Sequence, residues 1–242
     1  MLKDIQGMFF DFFGTIINKD QVLNTVWSRI AKKHGKNINP NDNRIREGRQ
    51  KQHKEFRKLT ISTSKTHFDL SREDWAKLNS IVLVAMGIEG SVSPSLIEEE
   101  FQHYFLEERV FQLNPGCKET LEQVNSIGIK LGILSNGSKL LKTELEKFGI
   151  LEFFDIFILA ADLGLNKTHI EVYERALKAM NTEGLEKIVH VGDDPIMDVK
   201  MAKRVGMVPI LLDPYNEFSP QEYDLGDTII VKELPEILQY LK

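Results

Sequence analysis

The sequence predicts an α/β fold, a doubly wound parallel sheet interrupted early by an all-helical insertion. Three observations carry this. From about Lys118 onward, short apolar runs alternate with helical patterns, the spacing of right-handed crossovers between parallel strands. Several runs are apolar throughout, as strands covered on both faces are. Between about Asp20 and Val110 there are four helical patterns and no strand, directly after one isolated apolar run that includes Met8–Phe10.

That isolated run is the first strand, Gly7 to Asp11, and Gly14 supplies the freedom for a sharp exit. In the insertion, Leu23, Val26, Trp27, Ile30 and Ala31 recur at helical spacing and the segment closes at Gly35. A basic helix follows over Asn41–Leu59, with Arg44, Arg46, Arg49, Lys51, Lys54, Arg57 and Lys58. Ser71 is placed as the N-cap of a third helix, with Asp74 in its first turn. A fourth opens near Ser93-Pro94 and carries Leu96, Phe101, Tyr104 and Phe105. Trp27, Trp75, Tyr104 and Phe105 are assigned to packing inside this block.

After Pro115-Gly116 the pattern changes. A helix over Lys118–Ser126 precedes the strand Ile129–Leu134, which stops at Ser135-Asn136-Gly137. Helix Leu140–Phe148 leads to the run Phe157–Ala160, and helix Ile170–Met180 to Ile188–Val191, which stops at Gly192-Asp193-Asp194. Helix Met197–Val205, strands Val208–Leu212 and Thr228–Val231 and a short helix complete the chain.

Composition narrows the function. The 242 residues are 42% hydrophobic and 28% charged, which suits a folded chain with a sizeable core. The net charge of −5 argues against general nucleic-acid binding. The single cysteine, Cys117, precludes an intrachain disulfide and fits a reducing interior; it is expected to be a surface or capping residue. No leader pattern follows Met1 and no apolar run could span a bilayer, so a cytoplasmic protein without membrane contacts is expected.

Asp11, Ser135 and Asp193-Asp194 each follow a strand, and in a parallel sheet those ends share one edge, where ligands bind. Asp198 lies five residues past Asp193 and can face the same cleft. Carboxylates gathered there repel one another and raise a pKa unless a cation intervenes; a hard divalent ion such as Mg²⁺ suits few carboxylates with open water positions. Lys167 follows the fourth apolar run and could neutralise Asp11 and an incoming phosphate. Taken singly, each residue has a plainer reading. Ser135 or Asp194 could cap a helix, Lys167 could be a solvated loop lysine, Asp198 a solvated helix face, and Arg44–Lys58 a solvated face. His169 and His190 are assigned as loop and strand residues.

In order, Asp11-Phe12-Phe13-Gly14-Thr15, Ser135, Lys167 and Gly192-Asp193-Asp194-Pro195-Ile196-Met197-Asp198 resemble the four motifs of the haloacid dehalogenase superfamily of hydrolases. The resemblance implies a Rossmann-like core of residues 1–17 and 112–242. It also implies a type 1 helical cap over residues 18–111, closing on the core about hinges near Ile17-Asn18 and Gln112–Asn114. It makes Asp11 a nucleophile that forms a covalent aspartyl intermediate. Mg²⁺ would sit on Asp11, the Phe13 main-chain carbonyl and Asp193, with Asp198 acting through water or by orienting Lys167. Ser135, Asn136, Gly137 and Lys167 would hold phosphate oxygens and Thr15 would position the nucleophile. The implied partner is a small phosphorylated or other anionic substrate.

Two residues depart from the pattern. Phe13 stands where phosphatases of the superfamily carry a second Asp, the acid that protonates the leaving oxygen and then activates water. Thr168 replaces the usual Pro after the motif lysine, a change expected to alter only the loop. Branches without the second acid include 2-haloacid dehalogenases, with an aromatic residue there and no magnesium site. They also include phosphonoacetaldehyde hydrolases, which use a cap lysine; Lys51 and Lys54 are the candidates. Four readings follow: a magnesium-dependent phosphatase, a 2-haloacid dehalogenase, a phosphonatase-like enzyme and a binding protein with weakened catalysis.

Overall fold

In the computed structural model, the residues described are 2–63, 70–88, 97, 99, 100, 103, 111–216 and 218–241. The chain forms two compact units, Met1–Lys19 with Gln112–Lys242, and Asp20–Phe111.

The first unit holds a six-stranded, all-parallel sheet in the order β3-β2-β1-β4-β5-β6. Its strands are β1 Gly7–Phe10, β2 Lys130–Ser135, β3 Ile156–Leu159, β4 Ile188–Gly192, β5 Val208–Leu212 and β6 Ile229–Val231. β1 and β4 are buried along their whole length, which is why their sequences carry no polar alternation. Connections run outward from β1 to one side and from β4 to the other, so the order reverses between these two strands. That switch point opens a crevice at the strands' carboxyl ends. Register then decides the site: Phe10 pairs with Ile133 on one side and Val191 on the other. Asp11 lies one residue past β1, not within it, and its N–H donates to Val191 O at 2.9 Å.

Helices fill the crossovers, with α4 over Cys117–Ser126, α5 over Leu141–Lys147, α6 over Ile170–Met180 and α7 over Met201–Arg204. α6 buries Val172, Tyr173, Ala176 and Met180 against Phe9, Leu134 and Ile188. Cys117 corrects its expectation, being buried at the start of α4 behind Gly116. Burial pushes its thiol up to about 12, so it is packing rather than surface. A π-type turn over Pro195–Lys200 takes the place of the expected helix start at Met197, and regular helix begins only at Met201.

The second unit is helical in its described residues. α1 Lys19–Lys33 begins on the last residue of the first unit, and α2 Asn43–Thr63 and α3 Arg72–Ala85 follow. Val26, Trp27, Ile30, Ile45, Val82 and Met86 form its core, and Trp75 stacks on Phe56 at 5.8 Å. Ser71 caps α3 reciprocally with Asp74. The fourth helix expected near Ser93-Pro94, with Leu96, Phe101, Tyr104 and Phe105, lies outside the described residues. Much of the basic stretch on α2 is used locally. Arg44 pairs with Asp42, Arg46 with Asn43, Arg49 with Asp20 and Asn24, and Lys58 with Glu55.

Candidate active site

Asp11, Lys167, Asp198 and His190 form one buried chain of contacts. Lys167 Nζ donates to Asp11 Oδ1 at 2.5 Å and to Asp198 Oδ1 at 2.6 Å, and His190 Nε2 lies 2.9 Å from that same Asp198 oxygen. Asp198 Oδ2 accepts the Asp194 N–H at 2.9 Å. Both oxygens of Asp198 are therefore committed. Asp11 Oδ2 carries no hydrogen bond from the described residues.

The electrostatics follow from this packing. Burial pushes Asp11 up to about 7, and the charges of Asp198 and Asp193 add to that against the pull of Lys167. Burial works against the Asp198 charge too, yet Lys167 and His190 hold its carboxyl well below the usual range. Burial also opposes the Lys167 charge, but Asp11 and Asp198 keep its ammonium firmly protonated. His190 is lowered by burial and is neutral near pH 7, so its Nε2–H donates to Asp198.

Asp193 lies beside this chain. One oxygen from each of Asp11, Asp193 and Asp198 falls within 4.8 Å of the other two, and Lys19 forms an ion pair with Asp193 Oδ2. Two glycines make the approach possible. Gly14 has φ +105°, and a Cβ there would lie 2.3 Å from Asp193 Oδ2; one on Gly192 would lie 2.2 Å from Asp198 Oδ2. The π-type turn has a cause in the same place. Asp194 Oδ1 accepts from the Ile196 and Met197 N–H groups at 2.8 and 2.7 Å, and its carbonyl accepts from both Asp198 and Val199. This wide first turn aims Asp198 back at Gly192 and Lys167. Asp194 is thus the N-cap that the sequence allowed, and Asp193 the residue facing the cluster.

The remaining candidates also stand at this edge of the sheet. Ser135 ends β2 and its Oγ accepts the Gly137 N–H at 3.2 Å. Asn136 Oδ1 accepts the Lys167 N–H at 2.7 Å, fixing the lysine loop. α5 starts only at Leu141, so the segment after Ser135 is a turn rather than a helix N-terminus. Thr15 is fully buried and its Oγ1 has no hydrogen-bond partner, so it makes no bond to Asp11 here. Asn114 Nδ2 binds the Gly14 and Thr15 carbonyls at 3.2 and 2.7 Å, holding the loop that contains Phe13. Thr168 donates through N–H and Oγ1 to Asn166 Oδ1, a local turn in place of proline. Lys51 and Lys54 are exposed on α2, unlike the desolvated pocket a Schiff-base lysine occupies.

His190 stands in β4 as expected, but its contact with Asp198 and the Lys19–Asp193 pair were not expected. His190 carried a legible signal, because an imidazole inside an unbroken apolar strand requires a partner. Lys19 carried none, since its partner lies 174 positions away.

Residues 5–206 match the family described as haloacid dehalogenase-like hydrolase. A glyceraldehyde 3-phosphate phosphatase of Methanocaldococcus jannaschii is 34% identical over 131 residues, 53% of this chain and 57% of that protein. The aligned stretch thus spans little more than half of that relative's length. YfnB of Bacillus subtilis, described as a HAD-hydrolase bound to magnesium, superposes with a TM-score of 0.74 at 19% identity, covering 98% of this chain and 99% of that one. A structure described as a dehalogenase superposes with a TM-score of 0.65 at 18% identity, covering 100% and 99%. Likeness at these identities speaks to the fold and does not separate one reaction from another. No helix among the described residues is long and apolar enough to cross a membrane. The family match takes in Asp11, Ser135, Lys167, Asp193 and Asp198 together, and on that extent the chain belongs to the haloacid dehalogenase-like hydrolases.

Proposed function

We propose that this hydrolase is a magnesium-dependent phosphatase for a small phosphate ester, with Asp11 as nucleophile. One observation carries the reading: an oxygen-only cluster of three aspartates, one oxygen of each within 4.8 Å of the other two, in which burial first, and the charges of Asp198 and Asp193 after it, raise Asp11 to about 7 even with Lys167 in contact. Such a cluster fits a hard divalent cation, and Lys19 already sits on Asp193 as a cation. Mg²⁺ would be held by Asp11, the Phe13 main-chain carbonyl and Asp193, and when bound would neutralise the carboxylates and phosphoryl oxygens. Asp198, with both oxygens committed, fixes Lys167 and would act on the ion only through water.

Lys167 holds Asp11 Oδ1 and leaves Oδ2 to attack phosphorus. A bond forms between Oδ2 and phosphorus as the bond to the leaving oxygen breaks, and the electron pair departs on that oxygen. Lys167, Ser135 and the N–H groups of Asn136 and Gly137, the last moving off Ser135 Oγ, would hold the phosphoryl oxygens, and Thr15 would support the Asp11 loop. Water then adds to phosphorus, releasing phosphate and restoring the carboxylate. Phe13 can neither protonate the leaving oxygen nor activate that water, so esters whose leaving groups are stable anions are favoured. The test is a panel of phosphate esters graded by leaving group, run on wild type and Phe13→Asp with and without Mg²⁺. Wild type should require Mg²⁺ and prefer aryl over alkyl esters, and the variant should gain about 10²–10⁴ on alkyl esters. No gain counts against the phosphatase.

Phe13 also favours a second reading, 2-haloacid dehalogenation, since a halide leaves without a proton. That reaction needs a cation for the substrate carboxylate, but Arg44 and Arg49 are engaged by Asp42 and Asp20. Halide release without added metal would establish it.

A further inference from the structure

We infer that Lys19 is a built-in competitor for the metal position, its ammonium holding Asp193 until a divalent cation displaces it, and that it thereby sets the metal affinity. The inference rests on the proposed Mg²⁺ site and adds a residue to it. Three features support it. First, the Lys19 ammonium contacts Oδ2 of Asp193, whose carboxylate belongs to the cluster that spans 4.8 Å, so it neutralises a carboxylate that a metal would use. Second, the backbone next to Lys19 is fixed: Asn18 N–H donates to Gln112 O at 2.8 Å and Asn114 N–H to Ile16 O at 2.9 Å. The side chain itself is 38% exposed. The ammonium can therefore leave for water while the main chain stays, and its rotamer freedom returns when it does. Third, the charges balance differently with each cation. Lys167 serves Asp11 and Asp198, leaving Asp193 to whichever cation arrives.

A divalent charge and an ammonium drawn to the same carboxylate repel each other even in near-aqueous surroundings, by an amount worth about tenfold in affinity. Removing the Lys19 charge should tighten Mg²⁺ binding by about that factor, independently of any turnover.

The experiment is calorimetric titration of Mg²⁺ into the full chain carrying Lys19 or its Arg, Met, Gln or Glu replacement, each with and without Asp193→Asn. The expected order of affinity is Lys19→Glu tightest, then Lys19→Met and Lys19→Gln about tenfold tighter than wild type, with Lys19→Arg close to wild type. In the Asp193→Asn background the gain from Lys19→Met should shrink, since the two side chains act as a pair. If Lys19→Met and Lys19→Gln bind Mg²⁺ within about twofold of wild type, Lys19 is no competitor, although the metal site stands. If no variant binds Mg²⁺, the metal site and the competitor fall together. Lys19→Gln keeps the test open should Lys19→Met fail to fold.

Discussion

Lys167 and Lys19 both bring an ammonium to the Asp11–Asp193–Asp198 cluster, one with 3% of its side chain exposed and the other with 38%. Lys167 touches two carboxylates that are themselves buried, and its loop is held by Asn136. Its charge has no route to water, so it is part of the frame. Lys19 pairs with Asp193 at the edge, and with 38% of its side chain exposed it can exchange that contact for solvent. The difference separates a buried charge, shared by Asp11 and Asp198, from a partly exposed one that, on the proposed reading, yields Asp193 to a metal.

The largest effect should come from Asp11, the proposed nucleophile, which Lys167 holds. Asp11→Asn should lower Mg²⁺-dependent phosphate release by at least about 10³-fold, with the fold intact by circular dichroism. Turnover near the wild-type rate would remove Asp11 from the chemistry.

Next come the lysines themselves. Lys167→Met leaves two buried carboxylates facing each other without their cation and should cost about 3–5 kcal/mol in urea unfolding. Lys19→Met should change stability by no more than about 1 kcal/mol, as exposed ion pairs do. Equal losses would erase the distinction between frame and exchangeable charge.

A smaller effect is expected in the pH dependence of stability. Asp11 is raised to about 7 by burial first and by Asp198 and Asp193 after it, whereas an unfolded aspartate titrates near 3.9. The folded state therefore holds this proton more tightly. The associated stability is complete below about pH 4 and is lost as pH rises through about 7. Without metal, the melting temperature of wild type should fall relative to Asp11→Asn between about pH 4 and 7, by a few degrees. Parallel curves for the two proteins would show that Asp11 is not raised.

The sheet was legible because strands buried on both faces have no reason to alternate, and β5 Val208–Leu212 matches its apolar run residue for residue. Asp11, Ser135, Lys167 and Asp193 were legible because a parallel sheet gathers its carboxyl ends on one edge, so position along the chain implies position in space. What local pattern could not show depends on side chains from distant segments. The π-type turn arises from Asp194 and Asp198 bonding around it, and helical periodicity cannot report that. Cys117 looked like a surface residue beside Pro115-Gly116, yet Gly116, with φ +69°, turns the chain so that Cys117 enters the core. The Lys19–Asp193 pair joins the start of one helix to the end of a strand late in the chain, a contact that no spacing rule reaches.

The proposed attack of Asp11 on phosphorus has a direct test in solvent-oxygen labelling. Wild-type protein is turned over with Mg²⁺ and a phosphate ester in water enriched in heavy oxygen. Mass spectrometry then reads the released phosphate and the peptide that contains Asp11. If Asp11 attacks and water then resolves the aspartyl phosphate at phosphorus, the label enters phosphate, the Asp11 peptide stays unlabelled, and acid-quenched samples carry a phosphoryl group on that peptide; labelled phosphate with no phosphorylated Asp11 peptide would contradict attack by Asp11. In a parallel run supplied with a 2-haloacid instead, label accumulating in Asp11 as halide is released, with no labelled phosphate formed from the ester, would mean water attacks the carboxyl carbon of an alkyl ester, and the phosphatase reading would fall.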